Sequence, residues 1–310
     1  MRAGTVALLG RPNAGKSTLI NSLLGEKVAI VSDKPQTTRH RITGILSEQR
    51  GQAVIFDLPG VHRPMHRLNV QMMHGLRETL VEVDLVLQLF DAGQAPGGGE
   101  EFVVGLLGGV EAPTILLPNK VDLADVAGHL AERIAFYTCR RSYAAVLPVS
   151  ALRGDGLEEL KDKIFGLLPE GFPLLDSSLT TTQSERFYVA ELIREAVLER
   201  VEQELPFTST VHIRAFQEEE TASGPFLRIF ADIVVDRDSQ KGIVVGRGGA
   251  MIKAIGTAAR ARIEPLLGAR VYLDLRVKAR PGWREDHRFL AELQPVEVPW
   301  EAPTEDAEEP

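Results

Sequence analysis

The residues best equipped for chemistry come at the start of the chain. Gly10 to Ser17, within GRPNAGKST, read G-x-x-x-x-G-K-S directly after an apolar run and before a helical pattern. Glycines at this spacing let backbone amides curl around phosphate oxygens, and the start of the next helix adds a favourable dipole. Gly10, Asn13, Ala14, Gly15 and Thr18 would line the cradle. Lys16 would reach the β- and γ-phosphates, and Ser17 would offer its hydroxyl to Mg2+. This motif alone does not choose between adenine and guanine. Asp57-Leu58-Pro59-Gly60 closes the apolar run QAVIF. A carboxylate there can hold Mg2+, and the Gly60 amide can sense a γ-phosphate. Asn119-Lys120-Val121-Asp122 closes the run TILLP. Guanine presents N1–H and a 2-amino group as paired donors that one carboxylate accepts together; adenine lacks the pair. Asp122 is therefore the base-selecting candidate, with Asn119 and Lys120 bracing the pocket. Ser150-Ala151-Leu152 ends the next run and can give a backbone amide to the guanine oxygen.

These motifs need a scaffold that brings them to one edge. Short apolar runs (TVALLG, ITGILSEQ, QAVIFDLPG, VDLVLQLFDAG, APTILLPNKVD, AAVLPVSAL) alternate with amphipathic stretches such as STLINSLLGEK and LEELKDKIFGLL. Unbroken apolar runs suit strands covered on both faces, and the alternation predicts a doubly wound, mostly parallel α/β sheet. Such sheets bind ligands at the carboxyl ends of their strands, where every motif above falls. The expected bounds are 1–170 for this domain, a Pro/Ser/Thr-rich linker at 171–181, a second domain at 182–294 and an acidic, disordered tail at 295–310. Thr182 and Glu185 fit a capping box, with a helix running on to Pro206.

Four ordered motifs at successive strand ends resemble the P-loop GTPases over the first domain. That resemblance implies GTP and GDP as ligands, Mg2+ as cofactor, and a threonine in the loop VAIVSDKPQTTRHRI that meets the metal and the γ-phosphate. Thr38 is the choice and Thr37 the rival. Lys16, Thr38 and Gly60 would carry catalysis, and Ser17, Thr38 and Asp57 would surround the metal. Ras-like members place a glutamine after the DxxG glycine to orient water. Val61 stands there, so slow intrinsic hydrolysis is expected. Asn13 resembles the asparagine with which related GTPases hold K+. His62, His66 and His74 lack a metal-binding context and are expected to be loop residues, while Cys139, the single cysteine, is expected to be a small core residue.

A second glycine loop, GIVVGRGGAMIKAIG, differs in kind. Gly246-Arg247-Gly248-Gly249 lacks the G-K-[S/T] ending and has the wrong spacing for a dinucleotide fingerprint. It matches the GXXG loop of a KH domain, which clamps a short run of nucleic-acid backbone. Ile243, Val245 and Ile252 would wall the bases, with Lys241, Arg247 and Lys253 toward phosphates. The order α-β-β-α-β around the loop fits the type II variant. From Lys241 to Arg284 there are 10 basic residues and 2 acidic ones, a local excess that suits a polyanion. The global net charge of −8 hides this, because residues 295–310 alone carry 6 acidic residues and no basic ones.

A P-loop GTPase joined to a C-terminal KH domain resembles the bacterial Era family over nearly the whole chain. The stretches that carry it are GRPNAGKST, PQTTRHRITGI, DLPGVH, NKVD, SAL, ERFYVAELIRE, GRGGAMIKAIG and VKARPGWRED. The resemblance implies binding to single-stranded RNA at the 3′ end of small-subunit (16S) ribosomal RNA during 30S assembly, with GTP state gating RNA affinity. Leu58 departs from the family's DTPG. No DNA partner is expected. The composition, with no apolar stretch of membrane-span length, fits the cytoplasm, and a peripheral contact with the membrane's inner face stays open. The alternatives are a GTPase acting at a membrane or on tRNA, and an RNA-binding module with a vestigial nucleotide site.

Overall fold

The computed structural model describes residues 1–34, 36–61, 66–222 and 224–294; His62 and the acidic segment 295–310 lie outside them. The first sheet comprises β1 (Arg2–Leu9), β2 (Ile42–Glu48), β3 (Gly51–Asp57), β4 (Leu85–Asp91), β5 (Thr114–Asn119) and β6 (Ala145–Val146). Their spatial order is β2-β3-β1-β4-β5-β6. The β2–β3 hairpin is antiparallel and the other ladders are parallel. Helices α1 (Lys16–Leu24), α2 (Arg67–Glu82), α3 (Gly98–Leu106), α4 (Leu130–Thr138) and α5 (Leu157–Leu167) connect them.

Strand β1 shows why its run is apolar throughout. Val6 and Leu8 enter a core with Leu19, Ile20 and Leu23 of α1 and Leu160 and Ile164 of α5. Ala7 and Leu9 enter the opposite core with Met73 and Leu76 of α2 and Val103 of α3. Period-two alternation here separates two buried faces rather than inside from outside. Truncating Leu8 to Ala would cost roughly 2–5 kcal/mol.

The second unit runs α6 (Glu185–Leu198), α7 (Leu205–Thr208), β7 (Ser209–Thr221), β8 (Gly224–Val235), α8 (Asp238–Val245), α9 (Ala250–Leu267), β9 (Arg270–Ala279) and α10 (His287–Glu292). Strand β8 pairs antiparallel with β7 and parallel with β9. Ile255, Ala259 and Ile263 of α9, spaced by four, meet Leu192, Ile193 and Ala196 of α6 and the alternate residues Ile229, Ala231 and Ile233 of β8. A separate apolar cluster joins the two units, with Leu68 and Met72 of α2 against Val234, Trp283, Phe289 and Leu290.

Four local expectations are corrected. The Thr182–Glu185 capping box does not form. Thr181 donates to the Thr43 carbonyl at 2.6 Å, which keeps the chain extended along β2, and Ser184 instead caps α6 by accepting from the Phe187 amide. Helix α6 stops at Leu198, and Pro206 sits in the first turn of α7, where its missing N–H costs nothing. The apolar residues before the second glycine loop form α8, so from α6 to β9 the order is α-α-β-β-α-α-β. Gln240 starts this helix by accepting from the Asp236 and Arg237 amides at 3.0 Å each. Cys139 is exposed: it caps α4, two residues past the buried Tyr137 and so on the opposite side of the helix.

The segment expected to be a linker packs against the first sheet. Gln52 accepts from the Leu174 and Leu175 amides, and the Ile45 amide donates to Thr180. Among the described residues no helix is long and apolar enough to cross a membrane.

Candidate nucleotide and nucleic-acid sites

The loop between β1 and α1 is fixed by glycines that nothing larger could replace. A Cβ on Gly10 would lie 2.5 Å from the Leu89 carbonyl oxygen. Gly15 has φ +94°, and a Cβ there would strike the Asn119 amide. Asn13 also takes a left-handed backbone, and its amide nitrogen donates to the Asp33 carbonyl at 2.8 Å. Lys16 is buried and folds onto the Gly10 and Arg11 carbonyls at 3.2 Å each. Burial pushes its ammonium below the ordinary lysine value, while Asp57 and Glu100 push it back up.

Asp57, at the end of β3, is fully buried. Ser17 donates to its Oδ2 at 2.5 Å and Thr38 at 3.3 Å, and the two hydroxyls lie 2.9 Å apart. Its Oδ1 is buried and, among the described residues, has no hydrogen-bond partner. Burial raises the Asp57 carboxyl, against the pull of Lys16, Ser17 and Thr38. A converging set of hard oxygens with one unsatisfied acceptor suits Mg2+. Thr38 rather than Thr37 belongs to this set, because the Thr37 hydroxyl donates away to the Lys34 carbonyl at 2.7 Å. Thr18 follows on the first turn of α1. Gly60 lies against Pro12, whose backbone a Cβ would approach to 2.8 Å. Val61 is buried among Ala7, Leu9 and Met73, and its amide donates to Gly10 at 3.0 Å. Its side chain therefore faces the core, away from where water would attack. Leu58 fills the same core.

The two motifs for a base interlock. Asn119 donates to the Ala14 carbonyl at 2.8 Å and accepts from the Ala151 amide at 3.0 Å, so one buried side chain ties the phosphate loop to the Ser150–Leu152 turn. Ser150 donates to Asp122 at 2.7 Å, and this bond holds the Asp122 carboxyl below the ordinary range. Lys120 has φ +66° and reaches Asp91 at 2.8 Å. Leu152 is exposed.

Sequence reasoning missed the contacts between the Thr38 loop and the second unit. Glu195 of α6, nearly fully buried, accepts from Lys27 at 2.6 Å and from the Val31 amide at 2.9 Å, and pairs with Arg262 of α9 at 3.1 Å. Arg194 donates to the Thr37 carbonyl, and Tyr188 to the Lys27 carbonyl. Burial alone would raise the Glu191 carboxyl, but Arg194 holds it below its usual value. From the loop side, buried Arg39 donates to the Pro206 and Ser209 carbonyls at 2.8 Å each. Helix α6 buries side chains on nearly every face, charged ones included, so no apolar periodicity marks which residues reach across.

The second glycine loop lies between α8 and α9. Gly246, Gly248 and Gly249 have φ of 72°, 58° and 79°, all left-handed. A Cβ on Gly246 would come within 2.7 Å of Met251, whereas Gly248 and Gly249 face open space. Arg247 and Lys253 are exposed, Lys241 pairs with Asp238 at 3.0 Å, and Ile243 is 54% exposed. Val245 and Ile252 are half-buried beside it. An exposed isoleucine next to open glycines and the exposed Arg247 and Lys253 makes a surface that apolar bases and phosphates could share. Of the histidines expected in a loop, His66 caps the start of α2 and lies 3.4 Å from Glu285, while His74 falls within α2 itself, one turn from Glu78 at 3.1 Å, which corrects that expectation.

Fold and sites together define a P-loop GTPase domain followed by a KH domain. The family model described as a 50S ribosome-binding GTPase matches residues 5–120, and the KH domain model matches 194–284. GTPase Era of Geobacter metallireducens is 46% identical over 292 residues, covering 94% of this chain and 97% of that protein. GTPase Era of Heliobacterium modesticaldum is 45% identical, covering 92% and 94%. A variant of Aquifex aeolicus Era bound to GDP·AlF4− superimposes with a TM-score of 0.89 at 34% identity, covering 94% of this chain and 99% of that one. A structure of Era with MgGDPNP and nucleotides 1506–1542 of 16S ribosomal RNA gives the same score at 34% identity, covering 94% and 98%. The chain belongs to the Era family of GTPases.

Proposed function

We propose that the chain binds GTP and Mg2+ at the end of its first sheet, hydrolyses GTP slowly, and holds single-stranded RNA near the 3′ end of 16S ribosomal RNA during 30S assembly. The observation that carries the nucleotide reading is the Asp57 cluster, in which Ser17 and Thr38 converge on a buried carboxylate with an unsatisfied oxygen. The relatives seen with GDP·AlF4−, MgGDPNP and 16S ribosomal RNA support it.

In this reading residues 1–170 do the nucleotide work and 182–294 the RNA work. Gly10, Asn13, Ala14, Gly15, Lys16, Ser17 and Thr18 cradle the phosphates. Lys16 leaves the Gly10 and Arg11 carbonyls to neutralise charge on the γ-phosphate. Ser17, Thr38 and Asp57 would hold Mg2+, which when bound offsets the phosphate charge. Asp122 accepts from the guanine edge while Asn119, Lys120, Ser150, Ala151 and Leu152 frame the base. Gly60 turns its backbone toward the γ-phosphate. With the Val61 side chain in the core, water is placed by a backbone group or by a monovalent cation held at the Asn13 oxygen.

On the RNA side Gly246, Gly248 and Gly249 admit the backbone, Lys241, Arg247 and Lys253 meet phosphates, and Ile243, Val245 and Ile252 support bases. Thr38 and Thr37 are adjacent, so a loop rearranged by GTP would pull on Arg194 and Glu195, and through Arg262 on α9. That is a physical route by which nucleotide state gates RNA affinity. We place the protein in the cytoplasm, with membrane contact at most peripheral. The test is crosslinking of the intact chain to purified small subunits with GDPNP and with GDP. Crosslinks at the 16S 3′ end that depend on the nucleotide support the reading; crosslinks confined to tRNA, or none, reject it.

A further inference from the structure

An apolar groove runs open along helix α2. Two cavities, of about 540 and 880 Å3, meet at Arg41 and Glu82, which line both. Leu58, Leu68, Met72 and Leu76 line the first, together with Leu290 and Gln294. Val54, Phe56, Leu174, Leu175 and Leu179 line the second, and the Arg41 guanidinium lies 4.8 Å from the centre of the Phe56 ring. Leu179 is 44% exposed, apolar surface that the described residues leave to solvent. Helix α10 fixes where the chain leaves: Phe289 and Leu290 pack on Leu68 and Met72, so Gln294, the last described residue, stands at the head of the groove. The sequence that follows is Pro295-Val296-Glu297-Val298-Pro299-Trp300. Each proline lacks the donor a helix needs and biases the residue before it toward extended backbone. In an extended chain Val296, Val298 and Trp300 share one face. Six residues at about 3.3 Å each reach about 20 Å. Helix α2 rises about 21 Å between Leu68 and Glu82, so a chain running beside it from Gln294 brings Trp300 to the second cavity. Charge sets where entry stops. Glu78 and Glu82 are exposed along the rim, and five of the six acidic residues in 295–310 come after Trp300, so like charges keep that part out.

We propose that residues 295–300 dock into this groove of their own chain, with Val296 and Val298 against Met72 and Leu76, Glu297 near Arg41, and Trp300 among Phe56, Leu175 and Leu179. The tether at Gln294 gives the segment an effective concentration of about millimolar, so a modest apolar contact is enough to hold it. Arg39 directly follows Thr38 and Pro59 directly precedes Gly60, so the docked segment lies along both loops beside the Asp57 cluster and keeps other apolar occupants off them.

The experiment uses the full chain. Trp283, the other tryptophan, is 1% exposed, so the difference in emission between wild type and Trp300→Phe isolates Trp300. Acrylamide should quench Trp300 about threefold more weakly than it quenches a free peptide of residues 295–310, at every protein concentration. Leu179→Glu and Val298→Asp put a charge on either side of the contact, and each should raise quenching to the peptide's value while circular dichroism stays that of wild type. Leu179 is partly exposed and Val298 lies outside the packed core, so neither change threatens folding. With photo-reactive benzoylphenylalanine in place of Trp300, crosslinks should form within one chain, to α2 or to residues 172–184. Wild-type quenching equal to that of the free peptide, or crosslinks to β7, β8 or β9, would overturn the proposal. So would protection that grows with concentration and comes with crosslinks between chains, which makes a second copy the occupant. Leu179→Glu protein that keeps its protection would overturn it too.

Discussion

Replacing Glu195 with glutamine should uncouple the two ligand sites without closing either. The wild-type carboxylate is 3% exposed, accepts from Lys27 and the Val31 amide, and forms an ion pair with Arg262. Glutamine has nearly the same shape, and its single oxygen can still accept from Val31. Its amide group is a donor, however, and faces two cations. A hydrogen bond from a cation to a buried carboxylate is worth about 1.5–3 kcal/mol net. Lys27 and Arg262 are 43% and 30% exposed, so solvent screens both. A working figure is about 1 kcal/mol each, or about 2 kcal/mol in total. That is a factor of about 30 in any equilibrium that makes or breaks this contact. The assay measures RNA affinity with GDPNP and with GDP, by anisotropy of a labelled oligoribonucleotide from the 16S 3′ end. Wild type should show a clear ratio between the two states, and Glu195→Gln should move that ratio toward one by up to about 30-fold. Linkage demands that RNA shift nucleotide affinity by the same factor. An unchanged ratio in a folded Glu195→Gln protein would refute the route through α6.

Other consequences are as direct. Asp122→Asn replaces one of the two acceptor oxygens at the guanine edge with a donor and should cost roughly a hundredfold in GTP affinity while improving xanthosine triphosphate, checked by competition binding. Asn13→Ala should abolish any excess of GTP hydrolysis in KCl over NaCl; equal wild-type rates in the two salts would remove the cation from the account. His40 sits against Phe187, and burial holds its imidazole down to about 4, opposed by Glu191 and assisted by Arg194 and Arg39. Its folded value lies below the unfolded one, so the unfolded chain binds more protons between them. The stability it gives is full above about pH 6.5 and is lost as pH falls toward 4. Because the ring is only partly buried, the loss between pH 7 and 5 should be about 1–2 kcal/mol by denaturant unfolding, and His40→Gln should flatten it.

The phosphate and base motifs were legible in the sequence because each is a short local spacing at the end of an unbroken apolar run. Parallel strands with both faces covered place such ends along one edge, so position in the chain predicted position in space. The choice of Thr38 over Thr37 was not legible. Both are hydroxyls in one loop, and only the Lys34 carbonyl, which takes the Thr37 hydroxyl, separates them. Helix α8 was missed because a short apolar run such as IVV fits either a strand or a helix, and its start depends on Gln240 reaching two amides. The exposure of Cys139 follows from its phase at the end of α4, which residue type alone does not carry. The largest gap was Glu195 with Arg194 and Arg39. These partners lie more than 150 residues apart in the chain, and nothing local in a charged helix tells which charge will be buried across an interface.

If the chain carries two separate anion sites, damage to each should leave the other's ligand bound. Gly249 has φ 79° and faces open space, so Gly249→Asp adds a charge at the RNA loop and backbone strain of about 1–2 kcal/mol without a clash. GDP affinity and affinity for the 16S 3′-end oligoribonucleotide, the latter measured without nucleotide, should be determined for wild type, Gly249→Asp and Asp122→Asn. Gly249→Asp should lose RNA and keep GDP, while Asp122→Asn should lose GDP and keep RNA. A folded Gly249→Asp protein that loses both ligands together, or neither, would contradict that separation.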